Sequence, residues 1–285
     1  MYTIAMDTST VVVENGLGMY AAGEGEPLLL MPYPHGFVVS PMIEGSLGVI
    51  LQELGYRVIS FDPPGTFNST RSPLLTMAEM LACTEETLQH FGIQGALDVI
   101  GHSMGGLCAL GLALEHPGRV RRLALCSSIS GGSAIWRNGG LPLSLSWMGA
   151  DFWSSLIWGL RLMYGWGSLA LHKKMLNLLY RHSYANKELA PEVEIAEADK
   201  YSPIPERDRF PREGLGIDYR ERLPQVGVQT LVCVGRYDLQ TPVACSEELA
   251  AGVPNASLVI FEKSGHNLFE EERNKFIDEC KKIFS

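Results

Sequence analysis

Short apolar runs alternate with longer amphipathic stretches along most of the chain. The run 28–31 is wholly apolar, which is typical of a strand buried on both faces of a sheet. The pattern predicts strands at 10–13, 18–22, 28–31, 57–61, 96–100, 120–126, 230–234 and 257–261, and helices near 41–54, 76–91, 105–116, 242–251 and 268–283. Because strands and helices alternate, we expect an α/β fold with a mostly parallel eight-stranded sheet flanked by helices.

The first two predicted strands are separated by a short segment that contains Asn15-Gly16. Both residue types tolerate positive φ, which the tight turn of a β-hairpin requires. We therefore expect these two strands to form an antiparallel edge of the sheet.

The alternation stops between residues 131 and 225. This segment holds all five tryptophans, and they are Trp136, Trp147, Trp153, Trp158 and Trp166. Its first half predicts apolar helices over 151–184, whereas 190–222 is rich in Pro, Glu and Arg and predicts loops and short helices. We interpret 131–225 as a helical cap inserted into a core made of 1–130 and 226–285. The tryptophans either pack this cap onto the sheet or line an apolar substrate cavity beneath it.

Composition and charge narrow the possible function classes. Hydrophobic residues make up 46% and charged residues 19% of the chain, so we expect it to fold throughout. A net charge of −9 argues against nucleic acid as a partner, because phosphate binding needs a surface rich in Lys and Arg. The N-terminal residues lack the features of an export signal and no stretch predicts a membrane span, so we expect a cytoplasmic protein. No pattern indicates the oligomeric state.

The cysteines occur singly, without a CxxC pair, and they are Cys83, Cys108, Cys126, Cys233, Cys245 and Cys280. This spacing predicts reduced thiols, mostly in the core, rather than zinc ligands. The sequence implies no metal and no organic cofactor.

Gly101-His102-Ser103-Met104-Gly105 fits the pattern G-x-S-x-G, and it stands between a predicted strand and a predicted helix. A turn this tight leaves room only for small residues around the serine, which accounts for the two glycines. The turn would hold the serine side chain at the carboxyl edge of the sheet, above the positive end of the following helix. Ser103 is therefore the predicted nucleophile.

A serine hydroxyl needs a base to remove its proton. His266 follows the last predicted strand and fits this role better than the other histidines. The imidazole in turn needs a buried acid to fix its tautomer, and Asp238 follows the preceding strand. Ser103, Asp238 and His266 thus form the predicted catalytic triad.

Acyl transfer passes through an intermediate with negative charge on oxygen, which two backbone N–H groups would stabilise. Met104 follows the nucleophile and would supply one of them. The other would come from the loop after the third strand, where we choose Phe37 because Gly36 before it allows a close approach of the backbone. We expect the side chain of His35 to hold this loop by hydrogen bonds rather than to act on the substrate.

With the chain order Ser, Asp, His, the sequence resembles the α/β-hydrolase superfamily over nearly its whole length. Within it, Gly-Arg-Tyr-Asp ending at Asp238 and Ser-Gly-His-Asn around His266 are similar to the proline iminopeptidase-like branch. That branch typically has H-G-G-P-G at the oxyanion loop, whereas this chain has His35-Gly36-Phe37-Val38-Val39. It also has a glycine in the turn after the fourth strand where this chain has Phe67.

The branch further implies carboxylates in the cap that hold the amino terminus of a peptide. The candidates in this cap are Glu188, Glu192, Glu194, Glu197 and Asp199. An acidic run of this kind is more often only a solvated helix face.

These residues predict a serine hydrolase that cleaves a small, apolar carboxylic ester or related acyl compound through an acyl-enzyme on Ser103. One alternative is an aminopeptidase or amidase of the iminopeptidase type, and another is a ligand receptor that keeps the hydrolase scaffold without catalysis. Within the superfamily, dehalogenases and epoxide hydrolases use an aspartate nucleophile, so a serine argues against their chemistry. Peroxyacid formation, hydrolysis of carbon–carbon bonds and lactone opening are all compatible with Ser103.

Overall fold

The computed structural model describes residues 10–34, 42–72, 76–140, 151–164, 169–190 and 216–285. Eight strands form one sheet in the order β1-β2-β4-β3-β5-β6-β7-β8. They are β1 (Thr10–Glu14), β2 (Leu17–Ala22), β3 (Pro27–Met31), β4 (Arg57–Phe61), β5 (Leu97–His102), β6 (Val120–Cys126), β7 (Gln229–Gly235) and β8 (Ala256–Phe261). The strand β2 runs antiparallel to both of its neighbours, and all other neighbouring strands are parallel. The predicted mostly parallel eight-stranded sheet is therefore confirmed.

The hairpin between β1 and β2 turns at Asn15 and Gly16, whose φ angles are 48° and 74°. Glu14 pairs with Leu17 across this turn. Positive φ at both central residues is the geometry of a two-residue turn whose twist matches that of the strands. The predicted antiparallel edge is confirmed.

Helices cover both faces of the sheet. The described α-helices are α1 (Ser46–Glu53), α2 (Met77–His90), α3 (Met104–Glu115), α4 (Gly132–Arg137), α5 (Phe152–Tyr164), α6 (Leu169–His182), α7 (Val243–Gly252), α8 (Leu268–Glu271) and α9 (Arg273–Phe284). On one face α2, α3 and α7 contribute Met80, Leu107 and Leu249 to the core, and on the other α1 and α9 contribute Leu47 and Phe276. Because both faces are buried, the carboxyl ends of the parallel strands are left as the edge on which a site can form.

After β6 the chain leaves the sheet, and before β7 it returns beside the point where it left. Gly131 and Asp218 form an isolated antiparallel bridge. Beside this bridge, the N–H of Tyr219 donates to the carbonyl of Ser130 at 2.8 Å. The helices α4, α5 and α6 arise between these two points. No helix in the described part of the chain is long and apolar enough to cross a membrane.

The described tryptophans of this segment differ in exposure. Trp158 in α5 is buried, whereas Trp136 and Trp153 are exposed. Trp147 and Trp166 lie outside the described residues. The burial of Trp158 fits either of the two predicted roles, whereas the exposure of Trp136 and Trp153 gives them little part in packing.

The single helix expected over 268–283 is interrupted, so that prediction was wrong. Glu272 separates α8 from α9 with φ −122° and ψ 51°. Its carboxylate accepts hydrogen bonds from the Lys263 N–H at 2.8 Å and from the Ser264 hydroxyl at 2.7 Å. These two hydrogen bonds hold the Glu272 side chain against the loop after β8, and the helix is interrupted at Glu272.

Asp62 is a buried carboxyl group directly after β4, with 1% of its surface exposed. Its Oδ2 accepts hydrogen bonds from the Tyr20 hydroxyl and from the Asn68 N–H, the latter at 2.9 Å. Burial raises the pKa of Asp62 to about 6, although these two donors act in the opposite direction. The folded protein therefore binds a proton at Asp62 more tightly than the unfolded chain does.

We expect the Asp62→Asn variant to be more stable than the wild type at pH 7 by roughly 3 kcal/mol, because a pKa difference of one corresponds to about 1.4 kcal/mol. Since the folded-state pKa is raised, the stability that Asp62 contributes is fully present below the unfolded value of 3.8 and is lost as the pH rises through about 6. The asparagine carbonyl oxygen can accept both existing hydrogen bonds at the Oδ2 position. Urea unfolding of both proteins from pH 4 to pH 8 measures the difference, and a gap that does not widen with pH would contradict this account.

Candidate active site

Ser103 occupies a strained turn between β5 and α3. Its φ of 53° and ψ of −124° are rare for a residue with a side chain. A Cβ on Gly101 would lie 2.4 Å from the carbonyl oxygen of Gly105, and one on Gly105 would lie 2.6 Å from that of Met31. Only glycine fits at either position, as the motif predicts.

Hydrogen bonds on both sides of Ser103 hold the backbone of this turn. The N–H of Ser103 donates to the carbonyl of Cys126 at 2.8 Å. The carbonyl of Ser103 accepts from the Ser128 hydroxyl at 2.9 Å and from the N–H of Gly106 at 3.0 Å. A backbone strain of about 1–3 kcal/mol persists only where its surroundings fix it in this way.

Asp238 is buried in the turn after β7. Its Oδ1 accepts the N–H groups of Gln240 and Thr241, each at 2.9 Å, and its Oδ2 accepts the Thr241 hydroxyl at 2.9 Å. Burial alone would raise the pKa of Asp238, but the neighbouring His266 and the Thr241 N–H outweigh it, so the pKa is lowered. Asp238 is therefore a carboxylate at neutral pH.

His266 lies in the loop after β8, and its Nδ1 is 2.8 Å from Oδ2 of Asp238. Both side chains are buried, with 5% and 4% of their residue surfaces exposed. An ionised carboxylate can only accept, so Nδ1 of His266 carries the proton. The neutral ring then keeps a lone pair on Nε2, which is the form that acts as a base.

The structure brings His266 next to the serine turn. The ring of His102, the residue before Ser103, lies 4.5 Å from the ring of His266, centroid to centroid. The Nε2 of His102 is 2.9 Å from the carbonyl oxygen of His266. Ser103, Asp238 and His266 thus follow β5, β7 and β8 at the same edge of the sheet.

Of the two predicted oxyanion donors, Met104 lies in the described part of the chain and Phe37 does not. Met104 is the first residue of α3, so its N–H lies in the first turn, where a helix provides no backbone acceptor. The positive end of the helix dipole is at the same place. Phe37 lies outside the described residues, together with His35 and Gly36, and remains a prediction.

The loop that carries His266 is held by neighbours that the sequence did not point to. The carbonyl of Ser183, just after α6, accepts the His266 N–H at 2.6 Å. The Glu271 carboxylate accepts the Gly265 N–H at 2.6 Å, and the hydroxyl of Ser127 donates to the His266 carbonyl at 3.0 Å. A buried hydroxyl or a carbonyl next to a site leaves no spacing pattern in a sequence, so none of these partners was predicted.

The segment between β6 and β7 contacts this loop at a second point. The Tyr184 hydroxyl donates to the carboxylate of Glu270, and the N–H of Asn186 donates to Glu271 at 2.9 Å. Glu188, the first of the acids predicted to lie in a cap, is exposed, and Glu192, Glu194, Glu197 and Asp199 lie outside the described residues. The carboxylates that hold the His266 loop are thus Glu270 and Glu271, which do not belong to the acidic run predicted for the cap.

Nothing in the described residues gathers three or more His, Cys, Asp or Glu side chains as a metal site would require. The six cysteines are all buried and free of disulfides. The prediction that the cysteines lie in the core is confirmed.

Comparison with known proteins gives consistent matches over most of the chain. A 2-hydroxymuconate semialdehyde hydrolase from Pseudomonas putida is 30% identical over 273 residues, which cover 90% of this chain and 86% of that protein. A 2-hydroxy-6-oxononadienedioate/2-hydroxy-6-oxononatrienedioate hydrolase from a Pseudomonas species is 25% identical over 283 residues, covering 95% of this chain and 92% of that protein. These relatives differ from the proline iminopeptidase-like branch that the motifs suggested.

Among solved structures, an alpha/beta fold family hydrolase from Bacillus anthracis str. Sterne superimposes with a TM-score of 0.76 at 20% identity, covering 97% of this chain and 99% of that one. This similarity concerns the fold. The family model described as alpha/beta hydrolase fold matches residues 33–273, a span that contains Ser103, Asp238 and His266. The chain therefore belongs to the α/β-hydrolase fold family, as a hydrolase whose mostly parallel eight-stranded sheet is the one expected from its sequence.

Proposed function

We propose that this protein is a serine hydrolase that forms an acyl-enzyme on Ser103, with His266 as the base and Asp238 orienting it. The observation that carries the proposal is the buried bond of 2.8 Å between Asp238 and His266 beside the strained turn of Ser103. A structural ion pair has no need of such a turn, and a turn held at φ 53° stores strain without benefit to stability. Found together at one edge of the sheet, the pair and the turn favour nucleophilic catalysis.

In the proposed reaction, the hydroxyl oxygen of Ser103 attacks the carbonyl carbon of the substrate and its proton moves to Nε2 of His266. The imidazolium then gives this proton to the leaving group as the bond to the carbonyl carbon breaks. Water then attacks the acyl-enzyme and gives its proton to His266. The histidine passes this proton to Ser103 as the acyl bond breaks, which releases the carboxylic acid and restores the serine hydroxyl. The N–H groups of Met104 and Phe37 would stabilise the negative oxygen during both the formation and the hydrolysis of the acyl-enzyme.

We further propose that 131–225 forms a cap over this site, inserted between core segments 1–130 and 226–285. The bridge between Gly131 and Asp218 supports these boundaries, because it closes the excursion at its base. The bond from the His266 N–H to the Ser183 carbonyl supports the location, since Ser183 belongs to the excursion and His266 to the proposed triad. Exposed apolar side chains of α5, such as Trp153, would then form part of the outer surface of the cap.

The substrate we propose is a small, apolar acyl compound such as a carboxylic ester. A second candidate is hydrolysis of a carbon–carbon bond, which the names of the two Pseudomonas relatives favour. In that reaction the leaving group is a carbon anion, so the substrate must carry a conjugated carbonyl group that takes up the negative charge. An aminopeptidase of the iminopeptidase type is a weaker alternative, because the oxyanion-loop sequence differs from that branch.

Parallel assays distinguish these substrates. We expect turnover of p-nitrophenyl acyl esters, and we would compare it with 2-hydroxymuconate semialdehyde and with proline p-nitroanilide, using Ser103→Ala as the control in each assay. A kcat/KM for the semialdehyde that exceeds that for the esters would replace the ester proposal by carbon–carbon hydrolysis. Preferential turnover of the anilide would favour the aminopeptidase. Failure of a fluorophosphonate to label Ser103 would instead indicate a ligand receptor without catalysis.

A further inference from the structure

His102 is a buried titratable residue that the proposed reaction does not use. Only 2% of its surface is exposed. Burial, together with the neighbouring His266, lowers the pKa of His102 to about 3, so the ring is neutral at physiological pH. A neutral imidazole has one donor and one acceptor, and a buried ring needs a partner for each.

The partners of His102 determine which of its nitrogens carries the proton. A carbonyl oxygen can only accept, so Nε2, 2.9 Å from the carbonyl oxygen of His266, must be the donor. Nδ1 is then the acceptor, and it receives the hydroxyl of Tyr33. Burial raises the pKa of the Tyr33 hydroxyl well above its ordinary value, so this group stays protonated and able to donate. The result is a chain of two hydrogen bonds, from Tyr33 through His102 to the backbone of His266.

This chain contacts His266 in two ways. The His266 carbonyl accepts from Nε2 of His102 and also from the hydroxyl of Ser127, the latter at 3.0 Å. The ring of His102 also packs against the His266 ring at 54°, with the edge-on ring of Phe269 at 5.1 Å on another side. His102 therefore restrains both the main chain and the ring of the proposed base.

We propose that His102 is a positioning residue which sets the location of His266 relative to Ser103. His102 and Ser103 are consecutive, and the strained turn leaves their relative geometry little freedom. Because His266 is hydrogen-bonded to the residue before the nucleophile, it keeps its position relative to Ser103. Tyr33, where the two hydrogen bonds begin, stands two residues after β3. This inference rests on the proposed function.

A neutral donor suits this position. The reaction places a positive charge on the His266 ring, and a second cation at 4.5 Å would oppose that charge. A protonated lysine or arginine in place of His102 could donate to the same carbonyl but would carry that cost. Histidine supplies a donor that burial keeps uncharged.

The test compares His102→Leu with His102→Gln, using the maximal rate at which a fluorophosphonate labels Ser103 and the probe concentration that gives half of this rate. The leucine variant loses both hydrogen bonds, whereas the glutamine amide nitrogen can reach the position of Nε2 and still donate to the His266 carbonyl. We expect the leucine variant to lose about 10²-fold in maximal labelling rate, with little change in half-saturating concentration, because a misplaced base slows reaction rather than binding. The glutamine variant should recover most of that rate.

Two further variants keep the result interpretable. Tyr33→Phe removes only the donor to Nδ1, and we expect it to label more slowly than the wild type but faster than the leucine variant. If the leucine variant does not fold, a Tyr33→Phe variant that labels at the wild-type rate overturns the inference. Thr87→Val removes a buried hydroxyl that donates to the Cys83 carbonyl within α2, and it should change stability without changing the labelling rate. A folded leucine variant that labels at the wild-type rate overturns the inference, as does a glutamine variant that is as slow as leucine. No labelling of the wild type overturns the proposed function itself.

Discussion

Replacement of Ser103 by alanine is expected to lower kcat by about 10⁴- to 10⁶-fold with any substrate that the wild type turns over, by analogy with serine proteases. The alanine has no oxygen to form the acyl-enzyme, and water lacks the fixed position that the turn gives the hydroxyl. The N–H of Met104 would still stabilise the oxyanion, so activity should stay above the uncatalysed rate. Steady-state kinetics with p-nitrophenyl esters, together with the loss of fluorophosphonate labelling, measure the effect.

The strain in the turn makes a stability measurement part of this experiment. The backbone bonds from Ser103 to Cys126 and from Ser128 to Ser103 do not involve the Ser103 hydroxyl, so the variant should fold as well as the wild type. Ser60→Ala is the matched control, because it removes a buried serine hydroxyl that donates to the Leu30 carbonyl at 2.9 Å within the same sheet. A Ser103 variant that keeps more than a tenth of wild-type kcat would refute the proposed nucleophile.

The sheet could be read from the sequence because each of its signals is local. The Asn15-Gly16 pair sets its own hairpin through positive φ at both residues, and the apolar run that forms β3 marks a strand covered on both faces. The break at Glu272 could not be read in this way. The periodicity of 268–283 continues across it, and the helix ends there because a carboxylate binds the N–H of Lys263 in a preceding loop.

The same distinction separates what the sequence predicts of the site from what it misses. Ser103 carries a motif whose flanking glycines are required by close backbone contacts, and Asp238 and His266 follow from the strand ends that precede them. Their supports depend on the folded arrangement, as when Ser183 in the insertion accepts the N–H of His266. Both partners in this contact are backbone atoms, so the residue types give no sign of it. The cap boundaries and the role of Phe37, which lies outside the described residues, remain predictions.

Asp238→Asn is expected to lower kcat by about 10⁴-fold, the magnitude that the same change produces in a serine protease. Two backbone N–H groups, those of Gln240 and Thr241, point at Oδ1 and will select the carbonyl oxygen of the asparagine for that position. The amide NH₂ must then occupy the position of Oδ2 and face His266. There it donates to Nδ1, which forces the ring proton onto Nε2, and the ring can no longer accept the proton of Ser103. The ¹⁵N chemical shifts of the imidazole report this change of tautomer independently of kcat.

Thr241→Val separates the loss of the charge from the loss of local order. It removes the hydroxyl that donates to Oδ2 but leaves both backbone donors and the carboxylate in place, so the Nδ1-protonated tautomer should persist. A net hydrogen bond to a charged group contributes about 1.5–3 kcal/mol, so this variant should be less stable while kcat falls far less than in Asp238→Asn. If Asp238→Asn instead keeps the wild-type tautomer and loses less than ten-fold in kcat, Asp238 does not orient the base. An equal loss of kcat in the two variants would assign the effect to disorder of the turn after β7 rather than to the tautomer of His266.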